Sequence, residues 1–593
     1  MELKLVYRTL RKVSDWTVTG YYSDCVVEGG ENVPETGPLI MYVAAAVYPS
    51  HTTPKSYPRA STHHNELVDI AALGISLYRA PNLLTSTVLY IAATIPHRRH
   101  VSFWAKSTLF ANPITRAILE SSGAIPVRRN PNNGSGQATK TYNGDRSTLF
   151  RESSTALAAG QVIGVFPEGT SYTSHHILQV LPGAAWAAVE FLRSQRGVEG
   201  NLKTGLRIVP VAIVYTDKAR YRSRISVKYC SPIHVDDYAE ELFEETADPD
   251  AASRSVVKKI MVQVEKQMTE NTINARDWDT ICAVRSARHF LWGDERNIKL
   301  TDWVGVSQRL VTIFDGSLPP ASQLKSALTK YFALLHFTGI KHSILASLSP
   351  ISSPSSPSSS PSPSHPLVQP TISLLTSLPG ALIRLALFLP PLLLFTPGYI
   401  IGRLFARWLA SNEEEEEAQA QFKAVGGGLG VMAAAALLLG FVNKWDVWSS
   451  SVGGWVKVVL GVVGMVKWHN LLVDCNYRQL QRILTYHKLL MAFALPRPRV
   501  VDARAMEVYM KPPRPPANPF VKHQEGAQVD ATLEGGEDAP AIPIRAPGTS
   551  RELVRRLLEA RDEANEALSG YLGLRESEAL VEMLVSKGAV VGL

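Results

Sequence analysis

QVIGVFPEG (161–169) followed by GAAWAAVEFLRSQ (183–195) decides the fold class. The first run is short and rich in β-branched residues, so it reads as a strand. It ends in a rigid proline, a carboxylate and then Gly169, which lets backbone approach a ligand closely. The second run reads as a helix. The same alternation repeats on both sides. GPLIMYVAAAVY (37–48), GAIPVRR (123–129), LRIVPVAIVY (206–215) and RISVKYCSPI (224–233) read as strands, and STLFANPITRAILESS (107–122) as a helix. Strands separated by helices predict an α/β layer domain, a central sheet flanked by helices. Pro210, inside the fourth of these runs, predicts an edge strand or a bulge.

Composition narrows the function classes. Of 593 residues, 45% are apolar, enough for more than one domain and a large core. The formal charge of +8 is spread along the chain, with no long basic tract to suggest nucleic acid. A phosphate-bearing substrate or an anionic membrane surface fits better. Cys25, Cys230, Cys282 and Cys475 stand far apart, without metal spacing or a disulfide framework, so a reducing compartment is expected. The opening MELKLVYRTLRKVSDW is too charged for a secretory signal.

Four regions follow along the chain. Residues 1–345 form the α/β domain, with its motif core at 25–235 and a helical, charged extension from 236. Residues 346–370 contain LSPISSPSSPSSSPSPSHP (348–366), a Ser/Pro linker. Residues 371–470 hold two to three hydrophobic segments. Leu385–Gly402 carries Pro390, Pro391 and Pro397, which predicts a kinked or re-entrant segment. Ala424–Val442 is uncharged and close to the roughly 20 residues that cross a bilayer. Asp446–Lys467 returns, with Lys457 in its middle. Residues 471–593 read as a polar, largely disordered tail. An amphipathic helix at 550–572 sits on it as a tethered element, its apolar face made by Leu553, Leu557, Ala564 and Leu568.

STHHNELVDI (61–70) places His64 five positions before Asp69. On one helix, five positions turn about 500°, leaving the side chains roughly 140° apart. They meet if His64 stands on the entering loop and Asp69 in the first turn. The carboxylate then fixes the imidazole tautomer, and the other ring nitrogen is free to take a proton. Alone this pair is weak. With Arg128 and Arg129 ending GAIPVRR, suited to grip a phosphate by forked hydrogen bonds, and with Glu168–Gly169, the order and spacing become hard to dismiss.

Together these blocks resemble the four-block signature of the glycerolipid acyltransferase family: H-x-x-x-x-D at His64–Asp69, Gly123 to Arg129, F-P-E-G at Phe166–Gly169, and an apolar strand with Pro210. The wider layout is most similar to fungal-type glycerol-3-phosphate/dihydroxyacetone-phosphate acyltransferases. The resemblance implies that His64 removes the proton of a glycerol hydroxyl that attacks the acyl-CoA thioester, with Asp69 orienting it. Arg129, with Arg128 and Lys106 of FWAKS, would bind the acceptor phosphate. Glu168, Gly169 and Thr170 would shape the acceptor pocket. Acyl-CoA is then a co-substrate, no metal or bound cofactor is needed, and the lipid bilayer is the partner. The implied location is the endoplasmic reticulum membrane, catalytic domain toward the cytosol.

Two departures stand out. Residues 43–61 and 74–91 separate blocks that the family places closer together, and read as insertions, either lineage-specific loops or translated introns. Ser171 stands where many relatives have Arg. Two other readings remain open at this level: a lysophosphatidate acyltransferase, and a membrane lipid-binding or scaffold protein with a catalytically dead domain.

Overall fold

The computed structural model describes residues 20–46, 94–106, 113–127, 146–168, 174–177, 179–199, 203–217, 220–244, 248–316, 319–348, 368–409, 416–444, 452–494, 503–513 and 551–591, with a few isolated positions. The Ser/Pro linker core, most of both suspected insertions and the segment 514–550 lie outside them.

The described α/β layer contains strands β1 (Asp24–Glu28), β2 (Leu39–Ala46), β3 (Val101–Lys106), β4 (Ile125–Val127), β5 (Val162–Val165), β6 (Arg207–Tyr215), β7 (Arg224–Tyr229) and β8 (Ile233–His234). Their order is β1-β7-β6-β2-β5-β3-β4, with β8 beside β6. The run from β6 to β4 is all parallel; β7 joins β6 antiparallel and β1 follows β7. Helices α1 (Pro113–Ser122), α2 (Arg146–Ala158) and α3 (Gly183–Glu199) make the crossovers. The short α4 (Ala239–Leu242) and the long α5 (Pro249–Glu270) follow the sheet.

Burial explains the strand sequences. LIMYVAAA of β2 has no polar alternation because both faces are covered; Leu39 to Ala44 are at most 1% exposed. Ile40, Tyr42 and Ala44 pack against Ala185, Ala188 and Leu192 of α3 and Val256, Ile260 and Val264 of α5. Leu39, Met41 and Val43 face the other way, with Val209, Val211, Ile213, Tyr21 and Tyr22. Two strands went unread in the sequence, β1 and β3. The predicted helix 107–122 is described as helix only from Pro113, a residue suited to a first helical position.

Pro210 does not mark an edge. β6 is interior, with Tyr42 of β2 opposite Pro210. On its other side β6 pairs with β7 from Val211 onward and with β8 at Arg207–Ile208. Pro210 falls in the gap between those neighbours, where its carbonyl accepts from Cys230 N–H at 2.9 Å. The pairing shifts by one residue here, from Ile208 opposite Ile233 to Val211 opposite Tyr229, so Pro210 sits beside a bulge, the other site the sequence allowed for it. The first suspected insertion also begins too early. Residues 43–46 are the end of β2, in register with 211–214. Of the second, Ile91 is described and is buried in the sheet core.

A helical layer adjoins the sheet: α6 (Trp278–Trp292), α7 (Leu300–Phe314), α8 (Pro319–Thr338) and α9 (His342–Leu348). The chain then forms α10 (Val368–Leu409), α11 (Glu416–Lys444) and α12 (Val452–Ala494), and later α13 (Ala503–Tyr509), α14 (Arg551–Leu572) and α15 (Glu578–Ser586). The tail helix is present, but it is not a tethered accessory. Leu553, Val554, Leu557, Ala560 and Ala564 are fully buried in the same core as Trp303, Leu328 and Tyr331. Trp292 Nε1 donates to the Lys587 carbonyl at 3.1 Å, closing α15 onto α6.

The hydrophobic block is also continuous where a break was expected. α10 stays helical through Pro379, Pro390, Pro391 and Pro397, so 385–402 is not re-entrant. Its 42 residues span about 63 Å. Within it Thr371–Trp408 is long and apolar enough to cross a membrane, and 17% of its most apolar window is buried. The apolar part of α11, Lys423–Leu438, is shorter. α10 and α11 cross through glycines. A Cβ on Gly430 would lie 2.7 Å from Gly398 Cα, and one on Gly402 3.1 Å from Gly427 N. Small residues at both sites allow this backbone approach.

Candidate active site

Parallel strands end on one edge of a sheet, and crevices outside their carboxyl ends are where open α/β sheets take ligands. Here β2, β3, β4 and β5 all deliver their following residues to that edge. Their lengths make it concave. Val165, the last residue of β5, is level with Tyr42, so β2 runs on four residues to Ala46. Gly164 is level with Phe103, so past Val165 β3 runs on two residues, to Lys106. β5 lies between them and forms the floor of a notch whose walls are β2 and β3. Phe166, Pro167 and Glu168 rise from that floor.

Each neighbouring block is placed by its own local physics. α1 ends in a Schellman turn: Gly123 N–H bonds the Glu120 carbonyl and Ala124 N–H the Leu119 carbonyl. Gly123 has φ +81°, and a Cβ there would lie 2.4 Å from His100 Cε1. Glycine therefore sets the entry of β4. Gly164 is needed for a different reason, since a Cβ would meet the Phe103 ring at 2.4 Å. Phe103 in turn stacks on Phe166, centroids 5.9 Å apart. The third block is thus clamped to β3 by an aromatic pair.

The loop beyond it is pinned from two sides. Gln179 Nε2 donates to the Glu168 carbonyl at 2.9 Å, and Leu181 N–H to the Pro167 carbonyl at 2.8 Å. Ile177 N–H donates to Asn274 Oδ1 at 3.0 Å, and Ala275 N–H to the His175 carbonyl at 2.9 Å. Asn274 is itself held by Gln308 of α7, which accepts from its N–H at 2.9 Å and donates to its carbonyl at 3.1 Å. The helical layer therefore supports the site loop. Burial pushes the His176 imidazole below its usual range, so it stands neutral beside that loop.

Of the sequence-predicted residues, Glu168 is described and half-buried. Lys106 is placed as the last residue of β3, at the lip of the notch. His64, Asp69, Arg128, Arg129, Gly169 and Thr170 lie outside the described residues. The described chain ends at Ala46 after β2, at Val127 after β4 and at Glu168 after β5. Gln179, Asn274 and Gln308 were not foreseen. Amides that act through loop carbonyls leave no spacing pattern in a sequence.

At the opposite edge, Arg99 is buried and structural. Its guanidinium bonds the carbonyls of Pro34, Gly37 and Gly160, tying together the turns that precede β2 and β5. Arginines that close on backbone in this way are not available to a substrate.

Residues 83–214 match the family model described as Acyltransferase, an interval that holds the second to fourth blocks and begins after His64 and Asp69. Glycerol-3-phosphate O-acyltransferase 2 of Saccharomyces cerevisiae is 23% identical over 264 residues, 44% of this chain and 32% of the relative. Glycerol-3-phosphate O-acyltransferase 1 of the same yeast is 26% identical over 144 residues, 24% of this chain and 18% of the relative. These matches span about a third or less of the relatives' length. Among solved structures, the 1-acyl-sn-glycerophosphate (LPA) acyltransferase PlsC from Thermotoga maritima aligns over 44% of this chain and 79% of its own, at 17% identity and a TM-score of 0.23.

Proposed function

We propose that the acyltransferase domain of this chain, which is of the glycerolipid type, moves a fatty acyl group from acyl-CoA to a hydroxyl of glycerol 3-phosphate or dihydroxyacetone phosphate. The observation that supports this reading is the notch over β5, where the described part of the third block, Phe166 to Glu168, follows the strand. The activity for which the two yeast relatives are named favours glycerol 3-phosphate as acceptor.

In this reading His64 takes the proton as the acceptor oxygen bonds to the thioester carbonyl carbon. Asp69 holds the imidazole and stabilises its positive form. The carbon–sulfur bond then breaks, and the departing CoA sulfur receives that proton. Arg129, Arg128 and Lys106 hold the acceptor phosphate at the β4–β3 side, where a guanidinium fork suits a phosphate. Glu168, Gly169 and Thr170 line the floor. The acyl product belongs in a bilayer, which places α10 and α11 in the membrane beside the site. An endoplasmic reticulum location with the domain facing the cytosol fits a water-soluble acyl donor.

The test is an acyl-CoA assay on membranes carrying the full chain, with glycerol 3-phosphate, dihydroxyacetone phosphate and lysophosphatidate side by side. Acylation of either of the first two supports the proposal. Acylation of lysophosphatidate alone moves the acceptor to a lysophospholipid. Transfer to none of them makes the domain a lipid-binding one.

A further inference from the structure

The turn between β6 and β7 meets α12 in a seam crowded with arginine. Arg222 Nη2 lies 3.1 Å from Asp474 Oδ2, and Arg296 Nη2 lies 3.7 Å from Asp474 Oδ1. Arg220 stands over the Tyr477 ring at 5.7 Å. Arg478 is one turn beyond Asp474 and exposed, touching its own helix at the Asp474 carbonyl and Cys475 Sγ. The charges of Arg220 and Arg478 both act on Arg296, against the carboxylates Asp474 and Asp294. Arg220, Arg222, Arg296 and Arg478 thus stand around the carboxylates Asp474 and Asp294, while Asp217 of the same turn faces Arg285 at 3.9 Å; Arg222, Asp474 and Arg296 are only 15%, 20% and 28% exposed. Half-buried like charges repel unless an anion completes them.

Three further features fit an anion site. Arg222 Nε is buried and has no hydrogen-bond acceptor among the described residues. Arg222 also sits at φ +63°, a left-handed conformation unfavourable for a non-glycine residue; such strain concentrates at ligand sites. Deeper in, burial and the charges of Arg220 and Arg285 push the Lys341 ammonium down to about 8.

The surroundings select the anion's chemistry. α12 exposes Leu471 before Arg478, and Tyr477, Leu480 and Leu484 around and after it, at 74%, 45%, 52% and 50%. Tyr221 of the same turn packs edge-on to Tyr399 of α10, whose hydroxyl is 2.6 Å from His469 Nε2 of α12. The seam therefore lies where the apolar hairpin leaves the catalytic layer, with apolar surface beside it. A free inorganic anion has no use for that surface; an amphiphile does.

We propose that this arginine seam binds the phosphate group of an anionic glycerophospholipid of the bilayer, with its acyl chains along the exposed side of α12. β6 adjoins β2, with Val214 level with Ala46, so a lipid held at the β6–β7 turn fixes the catalytic edge at the membrane surface. The inference rests on the membrane placement of the hairpin and not on acyl transfer.

The experiment uses the full chain, purified in a neutral detergent, and reads its thermal unfolding against dioctanoyl phosphatidate, dioctanoyl phosphatidylcholine and inorganic phosphate. The proposal expects phosphatidate to raise the unfolding temperature more than either of the others. Arg478→Gln and Arg296→Gln should each weaken that response about tenfold, the scale of one lost charge-assisted bond. Arg478→Gln removes an exposed group, so it does not endanger folding. Both variants should keep the acceptor KM of the parent. Equal shifts with phosphatidylcholine, an equal shift with inorganic phosphate, or an undiminished response in both variants overturns the lipid site. A raised acceptor KM in the variants would assign the seam to the catalytic phosphate pocket instead. Because unfolding is read without turnover, an inactive enzyme would count against the proposed function and leave this test intact.

Discussion

The β2 strand and the α10–α11 hairpin are comparably apolar, yet their side chains end in opposite places. Leu39, Ile40, Met41 and Tyr42 are at 0% exposure, enclosed by α3, α5 and the neighbouring strands. Leu375, Leu382, Ile383 and Leu393 of α10, and Met432 and Leu437 of α11, are 62–76% exposed. Apolar side chains are each stabilised by about 1.5–3 kcal/mol when removed from water. In the sheet, protein supplies that removal. Along the hairpin the described residues leave these side chains uncovered. The difference divides the molecule into a part whose apolar side chains are covered by protein and a part whose apolar side chains stand exposed, which the proposed function assigns to a bilayer.

The largest effect should come from separating those two parts. His64→Ala removes the proposed base and is expected to lower acyl transfer roughly 10²–10⁴-fold. The fraction of protein sedimenting with membranes should stay unchanged. His63→Ala should transfer at nearly the parent rate. An inactive His63 variant beside an active His64 variant would reassign the base.

Acid should act on the self-folding part. Burial, opposed in part by Glu295, holds the His289 imidazole down at about 4; burial with the charges of Arg285 and Lys341 does the same to His336. Both folded values lie below the usual 6.5, so the unfolded chain takes up protons first as pH falls. Stability is fully present above about pH 6.5, declines toward pH 4 and levels below it. The slope is about 1.4 kcal/mol per pH unit for each histidine. The unfolding temperature of the full chain should fall between pH 7 and 5, and His336→Gln should flatten that fall. A parent profile flat over this range contradicts the burial of these imidazoles.

Two glycines compare the regions most finely. Gly164→Ala puts a methyl into the Phe103 ring and should destabilise the catalytic layer by about 1–3 kcal/mol, measured as faster heat inactivation. Gly430→Ala pushes on Gly398 across the hairpin and should cost on the order of 1 kcal/mol, measured as weaker cross-linking between cysteines placed on α10 and α11. It should leave heat inactivation nearly unchanged. Equal inactivation by the two would mean that hairpin and sheet melt as one unit.

How much of this was legible follows from the same contrast. The strand runs 39–46, 162–165 and 207–215 were readable because full burial makes them continuously apolar. β1 and β3 were missed, since DCVVE is partly exposed and VSFWAK carries Ser102 and Lys106. The helix at 551–572 was readable from its periodicity, but its partner was not. A helical stripe says that a face is covered, and Leu553 and Leu557 needed the structure to show by what. That correction matters for experiment: a chain ending near residue 345 would uncover the faces of α6 and α8 that α14 fills, so membrane behaviour must be tested on the full chain. The site's order along the chain was legible as four blocks. Its concavity was not, because it comes from β5 being shorter than its neighbours. The amide clamps at Gln179 and Asn274 were invisible for a related reason, since they act on backbone.

Alkaline carbonate extraction of membranes carrying the full-length chain tests the division most directly. Spanning helices are held by hydrocarbon burial rather than charge, so neither high salt nor alkaline carbonate should release them. The account predicts that the protein stays in the pellet through both washes. Recovery of the intact chain in the carbonate supernatant would mean that the exposed side chains of α10 and α11 are covered by protein, and that the hairpin is not a membrane element.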